Sequence, residues 1–364
     1  MPKVTVLMAV YNGERYLKEA IESILNQTFQ DFEFLIINDG SCDSTREIIK
    51  SYQDSRIRLV ENSSNLGLTR SLNKGLKLAE GEFIVRQDAD DISEPERLSK
   101  QVAFLETHFN VALVGTWYKE IDAWGNLIGN RKLPCDCTKI RWDILFYCPF
   151  VHSAMMLRKS IVIKQIGLYD EAFVYAQDYD LWSRIARSLP VANLNEYLIK
   201  LRINPESMTA TYGSIIDDET RQIMTANIGY LLDWEQNKVE STKLLFRTMA
   251  PLMIDSIDSM NIQMVTKSID KILDLQTAFC QYYKLNSTES VNQRTKVCIR
   301  MSYQLIKLAH CSLNQDNYNS VWQLLVQAYR LHLPILLTKT HARIILKLLI
   351  GQRLIKRISY LTQS

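Results

Sequence analysis

Three features that are common in membrane or secreted proteins are missing from this sequence. The chain of 364 residues contains no run of about 18 uncharged apolar residues, the length that a membrane-spanning helix needs. Its seven cysteines are scattered and odd in number, which favours a reducing compartment over a disulfide framework. The residues Met1-Pro2-Lys3 lead directly into an apolar segment, so no secretory signal is expected. These absences predict a cytoplasmic protein.

The glycine-rich phosphate loops of two large nucleotide-binding classes are also missing. No Gly-x-Gly-x-x-Gly follows the first apolar segment, and no Gly-x-x-x-x-Gly-Lys-Ser/Thr occurs anywhere in the chain. Such loops bring backbone N–H groups close to phosphates, and the motifs are typical of dinucleotide dehydrogenases and P-loop enzymes. The sequence therefore disfavours both classes.

Acidic residues are missing from the last part of the chain. Residues 331–364 contain six Lys or Arg and no Asp or Glu, so they more than account for the formal net charge of +3. The apolar residues Ile344, Ile345 and Leu348 have helical spacing there, which predicts a basic amphipathic helix. Such a helix suits peripheral contact with the inner face of the plasma membrane, or docking on the preceding helices with its Lys and Arg exposed. Nucleic-acid binding is not expected, because the basic cluster lacks interleaved aromatic residues.

Strands and helices alternate in the first part of the sequence. Apolar segments of strand length, at 4–10, 32–37, 57–60 and 83–85, are separated by segments with helical periodicity. This alternation predicts βαβ units and a doubly wound, Rossmann-like, mostly parallel sheet with flanking helices.

The pattern changes further along the chain. Past residue 110 we predict strands at 112–116 and 153–158, a hairpin turn at 122–126 and a helix around 179–186. From about residue 220 only helical periodicities remain. We therefore predict an α/β catalytic domain over residues 1–214 and an all-α domain over residues 215–364.

Polar motifs follow three of the predicted strands. They are Tyr11-Asn12-Gly13, Asp39-Gly40-Ser41 and Asp88-Ala89-Asp90-Asp91. Ligands of parallel sheets bind beyond the carboxyl ends of the strands, so these motifs are expected at one site. The three carboxylates of the last motif suit Mg²⁺ or Mn²⁺ carrying a phosphorylated substrate, because these hard cations prefer oxygen ligands. The alternative is an acidic turn that caps the following helix.

Five ordered blocks resemble those of the family 2 glycosyltransferases. They are Val-Leu-Met-Ala-Val-Tyr-Asn-Gly at 6–13, Ile-Asn-Asp-Gly-Ser at 37–41, Asn-Leu-Gly-Leu at 65–68, Asp-Ala-Asp-Asp at 88–91 and Gln-Asp-Tyr-Asp-Leu-Trp at 177–182. The resemblance covers roughly residues 3 to 210. It implies the GT-A fold and inverting transfer from a nucleotide-diphosphate sugar, and many bacterial members carry a helical C-terminal extension.

The resemblance also implies roles for the residues that bind the nucleotide-sugar. Val10 and Tyr11 match positions that line the nucleoside pocket, although Tyr11 is equally a candidate for a packed aromatic. Asp39 is expected to accept a hydrogen bond from the base, and its alternative role is that of a turn residue. Asn65 lies in the block that closes over the nucleotide, and Asp88 is expected on the ribose or base side.

The metal and the base of the reaction are assigned in the same way. Asp90 is the preferred metal ligand within the Asp-x-Asp motif, and Asp91 is the alternate. Asp178 is the candidate general base, which takes a proton from the acceptor hydroxyl. Its alternative role is to cap the following helix, together with Asp180. The family has Glu where this chain has Gln177, a change that removes a charge next to Asp178.

Other matching positions carry weaker predictions. His152 and Ser153 occupy a site where the family often has a similar polar pair, although a lone His is more often structural. Arg202 and Ser207 match an Arg-x-His-x-x-Ser block, in which this chain has Asn at position 204 in place of His. Two tryptophans, Trp117 and Trp182, are candidates for stacking on sugars, but a place in the core is the more common role.

The sequence thus predicts a metal-dependent, inverting glycosyltransferase that uses a nucleotide-diphosphate sugar, with UDP-sugars favoured. The expected acceptor is a glycan or lipid-linked glycan hydroxyl in cell-surface polysaccharide assembly. Two alternatives remain. One is a nucleotidyltransferase, which normally has a glycine-rich loop after the first strand. The other is a non-catalytic nucleotide-sugar binder or membrane-docked scaffold, which Gln177 and the Asn at 204 would favour.

Overall fold

A computed structural model describes residues 1–204, 213–232, 253, 262–314 and 317–350. The chain divides into two compact units, Met1–Met224 and Thr225–Ser364. The first unit extends past the predicted division at 214/215, and that division stays a prediction.

The first unit is built on one nine-stranded sheet, in which the strand order is β3-β2-β1-β4-β8-β6-β9-β5 and β7 pairs with β6. The first four strands in that order are parallel, and β8 is antiparallel to β4. The strands are β1 Val4–Val10, β2 Phe32–Asn38, β3 Ile57–Glu61, β4 Phe83–Arg86, β5 Ile92–Ser93, β6 Leu113–Ile121, β7 Leu127–Arg131, β8 Met156–Arg158 and β9 Val191–Arg202.

Helices cover this sheet and continue into the second unit. The first seven are α1 Leu17–Leu25, α2 Thr45–Ser51, α3 Leu68–Leu78, α4 Arg97–Thr107, α5 Cys137–Asp143, α6 Lys159–Gln165 and α7 Gln177–Ser188. The later ones are α8 Gly213–Leu232, α9 Ile262–Tyr282, α10 Ser287–Asn314, α11 Tyr318–Leu331 and α12 Lys339–Ile350.

The core of the first unit explains why these residues form a doubly wound sheet. All seven residues of β1 are buried, as expected for a strand covered on both faces. In α1 the buried residues Leu17, Ala20, Ile21 and Ile24 recur at helical spacing, so that one stripe of the helix lies in the core. The apolar runs thus fix the central strands, and the stripe orients the helix that follows.

Some predicted elements differ in extent from the observed ones. The predicted strand at 153–158 is only half correct, because His152–Ala154 form a 3-10 turn and β8 begins at Met156. That turn lets Ser153 donate hydrogen bonds to the carboxylates that follow β4. The hairpin turn at 122–126 is confirmed, and Gly125 has a φ of 87° there.

The described part of the second unit is helical, as predicted. The long helix α10 packs its buried face, which includes Met301, Leu305 and Leu308, within a helical core. Ser302 Oγ donates to the Ala328 carbonyl at 3.0 Å and so links α10 to α11. None of the helices in the described ranges is long and apolar enough to cross a bilayer.

The basic helix α12 forms within this unit. Its Ile344 is fully buried, and His341 Nε2 lies 2.5 Å from the Tyr329 hydroxyl of α11. Leu346 is exposed. Burial of Ile344 is what docking on the preceding helices requires, whereas membrane contact stays a prediction. Residues 351–364 of the basic segment lie outside the described ranges.

Candidate active site

The carboxyl ends of β1 and β2 bring the predicted nucleoside-binding residues to one edge of the sheet. Val10 pairs with Asn38 in the parallel register, and the Asp39 N–H donates to the Val10 carbonyl at 2.8 Å. Val10 is buried, whereas the Tyr11 side chain is 48% exposed. Tyr11 is therefore not a packed core aromatic, and its ring is open to contact with a ligand.

Asp39 is buried, and its carboxylate organises the loop before α3. One oxygen accepts from Asn62 Nδ2 at 2.7 Å and from the Leu66 N–H at 2.9 Å, and the other accepts from the Gly67 N–H at 2.9 Å. Asn65 Oδ1 also accepts from the Gly67 N–H, at 2.9 Å. Gly67 has a φ of 89°, a conformation that glycine adopts without steric cost. Asp39 and Asn65 thus meet at the same turn.

Replacing Asp39 with alanine is expected to lower the free energy of unfolding by about 2 kcal/mol, because the buried Asn62 amide and the partly buried N–H groups of Leu66 and Gly67 would lose their acceptor. Thermal and urea unfolding measure the effect. Asn65→Ala is the matched control: Asn65 is exposed and accepts one bond at the same turn, so its replacement should cost much less. Equal stability of both variants would contradict the structural role of Asp39.

The three carboxylates after β4 have different surroundings. Asp88 pairs with the Arg86 guanidinium and accepts from Ser153 Oγ at 2.9 Å. Burial disfavours the ionised form of Asp88, but Arg86 and its other partners outweigh that cost and hold the pKa below its usual range. Asp91 is buried and accepts from the Arg202 N–H at 2.9 Å and from Ser153 Oγ. Burial and the neighbouring carboxylates raise the pKa of Asp91.

Asp90 is held less tightly than its neighbours. Its backbone carbonyl accepts from Arg202 Nε at 2.9 Å, which fixes the main chain. The half-buried Asp90 carboxylate takes no part in that bond. Burial, followed by the nearby Asp88 charge, raises the pKa of Asp90 to about 6. A cation at this point would relieve both effects, because it stabilises the ionised form.

The donor set fits a hard divalent cation that is held largely by its substrate. In the described ranges no three or more His, Cys, Asp or Glu side chains form a group that could hold a metal by themselves. Mg²⁺ commonly takes only one or two protein carboxylates and completes its shell with water and substrate phosphates. Asp90 would supply one such oxygen, and Asp91, whose two oxygens already accept hydrogen bonds, contributes to the shape of the loop.

Buried cations support this loop from behind, and the sequence reasoning missed them. Arg97 is fully buried and donates to Gln87, Ser93, Gln101 and two main-chain carbonyls. Burial lowers the pKa of Arg97 to about 9. The signal in the sequence is that Arg97 lies on the apolar side of an amphipathic helix, where a charged residue is buried only when it is paired.

His152 belongs to the same support. Its Nε2 accepts from Arg86 Nε at 3.1 Å and lies 3.1 Å from the Tyr169 hydroxyl. Burial, followed by the Arg86 charge, lowers the pKa of His152 to about 3, so the ring is neutral at physiological pH. These contacts agree with a structural role for His152. Trp182, fully buried and edge-on to His152, is a core residue.

Arg202 ties β9 to the carboxylate loop. Besides its contacts to Asp90 and Asp91, its guanidinium pairs with Glu19 at 2.8 Å and lies 4.3 Å from the centre of the Tyr16 ring. Through these contacts Arg202 links β9, the carboxylate loop and α1. Ser207, the other matching position, lies outside the described residues.

Asp178 lies in the first turn of α7. Its Oδ1 accepts from the Tyr179 N–H at 2.7 Å. Ala176 is the N-cap residue of α7, and Asp180 pairs with Arg184 at 2.7 Å. Neither Asp178 nor Asp180 is the N-cap residue, but Asp178 does accept from a first-turn N–H, so the alternative prediction of capping holds in part for Asp178 and not for Asp180.

The surroundings of Asp178 raise its pKa toward the range that suits a general base. Burial raises its pKa to about 6, and the negative charge of Asp88 contributes. The charge of Asp88 after β4 therefore acts electrostatically on Asp178 in α7. A base works best when its pKa lies near the operating pH.

The chain is similar in sequence to known glycosyltransferases. The profile of the family described as Glycosyl transferase family 2 matches residues 5–166. An uncharacterized glycosyltransferase of Haemophilus influenzae is 31% identical over 285 residues, 74% of this chain and 84% of that protein. The O-antigen biosynthesis glycosyltransferase WbnJ of Escherichia coli is 35% identical over 209 residues, 56% of this chain and 81% of that protein.

Solved structures share the fold at low identity. TarS 1-349 of S. aureus, in complex with UDP-GlcNAc, matches with a TM-score of 0.53 and 16% identity, covering 90% of this chain and 91% of that one. Mannosyltransferase PcManGT of Pyrobaculum calidifontis, in complex with GDP-Man and Mn²⁺, matches with a TM-score of 0.50 and 14% identity, covering 93% and 88%. The predicted fold class, a GT-A α/β sheet followed by an all-helical part, is confirmed.

Proposed function

Because the chain belongs to glycosyl transferase family 2, we propose that it transfers a sugar from a nucleotide-diphosphate donor to a hydroxyl of a glycan or glycolipid, with inversion at the anomeric carbon. A UDP-sugar is the favoured donor, and assembly of a cell-surface polysaccharide is the favoured role. TarS was solved with UDP-GlcNAc, and WbnJ is named for O-antigen biosynthesis, which supports both preferences.

One observation carries this proposal. Two carboxyl groups from distant segments, Asp90 after β4 and Asp178 in α7, both have a pKa raised to about 6, and Asp88 raises each of them. Titratable groups with perturbed pKa values that gather at the ligand-binding edge of a sheet are typical of a functional site. Inverting transfer needs two functions on opposite faces of the anomeric carbon, one at the leaving group and one at the acceptor.

The side chains divide these functions between them. Tyr11, Val10 and the loop organised by Asp39 and Asn65 would hold the nucleoside, with Asp88 at the ribose side. Asp90 would bind Mn²⁺ or Mg²⁺, which when bound neutralises charge that develops on the departing diphosphate. PcManGT, solved with GDP-Man and Mn²⁺, supports a metal in this fold.

Asp178 would act on the acceptor side of the anomeric carbon. Its carboxylate removes the proton of the acceptor hydroxyl while the oxygen forms a bond to the anomeric carbon. The bond from that carbon to the diphosphate oxygen breaks on the opposite face, so the configuration inverts. The proton ends on Asp178, and the electron pair leaves with the nucleotide diphosphate.

Donor binding is expected to stabilise the protein against thermal unfolding. A ligand present at 100 times its Kd adds about 2.7 kcal/mol to the free energy of unfolding. A panel of UDP-sugars and GDP-mannose, each with Mn²⁺ or with EDTA, identifies the donor by its shift in Tm. The largest shift is expected for a UDP-sugar with Mn²⁺, and a panel without any shift would contradict the proposal.

Turnover is then measured with the selected donor. Release of the nucleotide diphosphate on addition of glycan acceptors, with the anomeric configuration of the product read by NMR, tests transfer and inversion together. Retention of configuration would refute the assigned chemistry. Donor binding without release across a broad acceptor panel would instead favour a non-catalytic binder.

A further inference from the structure

The loop before α7 presents its backbone N–H groups to a single carboxylate. Glu219 Oε1 accepts from Val174 N at 2.9 Å, and its Oε2 accepts from Tyr175 N at 2.9 Å and from Ala176 N at 2.7 Å. Glu219 belongs to α8 and is 8% exposed. Ala176 has no side-chain acceptor to cap α7, so a residue far along the chain supplies negative charge at that helix N-terminus.

Gln177 binds the other polar groups of the same loop. With its amide oriented so that Nε2 faces acceptors, it donates to the carbonyls of Val174 and Tyr175, both at 3.1 Å. The side chain is buried. A Glu at this position, as in the resembling family, would place an acceptor against two carbonyl oxygens. Gln177 and Glu219 therefore form a complementary pair that binds the amide and carbonyl groups of residues 174–176.

The other side of this segment is bound to α3, the helix that follows the Asp39 turn. Thr69 Oγ1 donates to the Phe173 carbonyl at 3.0 Å. Asn73 donates to the Tyr169 carbonyl and accepts from its N–H, both at 3.0 Å. The segment that leads into Asp178 is thus held from both sides.

We propose that Glu219 and Gln177 are positioning residues for Asp178, acting through the backbone of residues 174–176. This inference rests on the proposed function, in which Asp178 is the base. It gives the Gln at position 177 a role, since its amide donates where a carboxylate could not. A base must lie within hydrogen-bond reach of its proton, and misplacement by about 1 Å can cost about 100-fold in rate.

The test uses the full-length protein with donor, Mn²⁺ and acceptor. Glu219→Gln keeps the side-chain shape but leaves one oxygen for three N–H donors. We expect kcat for transfer to fall by about 10- to 100-fold, with the Kd for the donor unchanged. Asp218→Asn is the matched control, because Asp218 is the neighbouring residue, its side chain is 70% exposed, and it pairs with Arg221 on the same helix. Its kcat should equal that of the wild type.

A second variant acts from the other side of the loop. Gln177→Glu removes the two donated hydrogen bonds and is expected to lower kcat in the same way, again with donor affinity kept. Unchanged kcat in both Glu219→Gln and Gln177→Glu would overturn the inference. Loss of donor binding in step with kcat would also overturn it, because that result indicates general damage to the fold.

The background of Asp178→Asn separates this inference from the proposed function. If Glu219 acts through Asp178, adding Glu219→Gln to Asp178→Asn should leave the residual rate unchanged, whereas a merely structural role would cost the same factor in both backgrounds. If Asp178→Asn itself keeps full activity, the assignment of the base fails. If Asp178→Asn is inactive and Glu219→Gln is fully active, only the positioning role fails.

Discussion

Asp178→Asn is expected to lower kcat for sugar transfer by about 100- to 10,000-fold, the range that general base catalysis contributes. The amide keeps the size of the side chain and can still accept from the Tyr179 N–H, so the fold and the donor site should be preserved. Nucleotide release in the presence of acceptor measures the rate, and calorimetry with the donor measures binding. The expected result is intact donor affinity with transfer almost abolished.

Asp180→Asn is the matched control for this variant. It removes one carboxylate from the same helix, and the new amide oxygen can still accept from Arg184. Its turnover should stay close to that of the wild type. Equal losses in the two variants would indicate damage to α7 in general, and would count against a base at position 178.

The pH profile should carry the signature of the same group. In the proposed mechanism the active form of Asp178 is the carboxylate, and burial raises its pKa to about 6. Transfer by the wild type should therefore fall as the pH drops through about 6, because protonation removes the base. With Mn²⁺ at saturation, which keeps Asp90 ionised, the residual activity of Asp178→Asn should lack this dependence, since the amide does not titrate.

Asp90→Ala is expected to abolish the dependence of activity on Mn²⁺ and to lower turnover by about 100-fold or more, comparable with the loss of one group that stabilises transition-state charge. Titration of Mn²⁺ in the presence of nucleotide should show weakened binding. Folding stability should not fall, because burial and the Asp88 charge already disfavour the ionised form of Asp90.

Asp91→Asn gives the contrasting result for the neighbouring carboxylate. Asp91 accepts from Arg202 N and from Ser153 Oγ, and it is buried, so its replacement should disturb the loop and lower the Tm. Binding of Mn²⁺ per folded molecule should change less than in Asp90→Ala. If Asp91→Asn loses the metal while Asp90→Ala keeps it, the two assignments must be exchanged.

Local pattern was enough to predict the frame of the first unit. The buried residues of β1 and α1 can be recognised from the sequence itself. A strand buried on both faces needs continuous apolar residues, and a helix with one buried face needs apolar residues at helical spacing. Parallel connection then brings Asp39 and the Asp88–Asp91 motif to one edge, which is why sequence alone could place them at a common site.

The contacts that tune the site were not predictable in this way. Ser153 bridges Asp88 and Asp91 from more than 60 residues away. Asn62 and the Gly67 turn occupy Asp39, and Glu219 reaches the loop before α7 across 43 residues. Neither periodicity nor a short motif encodes such pairings, because each depends on how separate elements pack.

The buried guanidinium groups of Arg86 and Arg97 determine how the acidic segment would bind the proposed divalent cation. Arg86 pairs with Asp88, Arg97 binds the backbone and side chains beneath the loop, and Ser153 joins two of the carboxylates. The acidic segment therefore owes its shape to internal partners, so that Asp90, the proposed cation ligand, would be held in position before the donor binds. Removal of the cation by a chelator should consequently abolish transfer without unfolding the protein, and activity should return when the cation is added back.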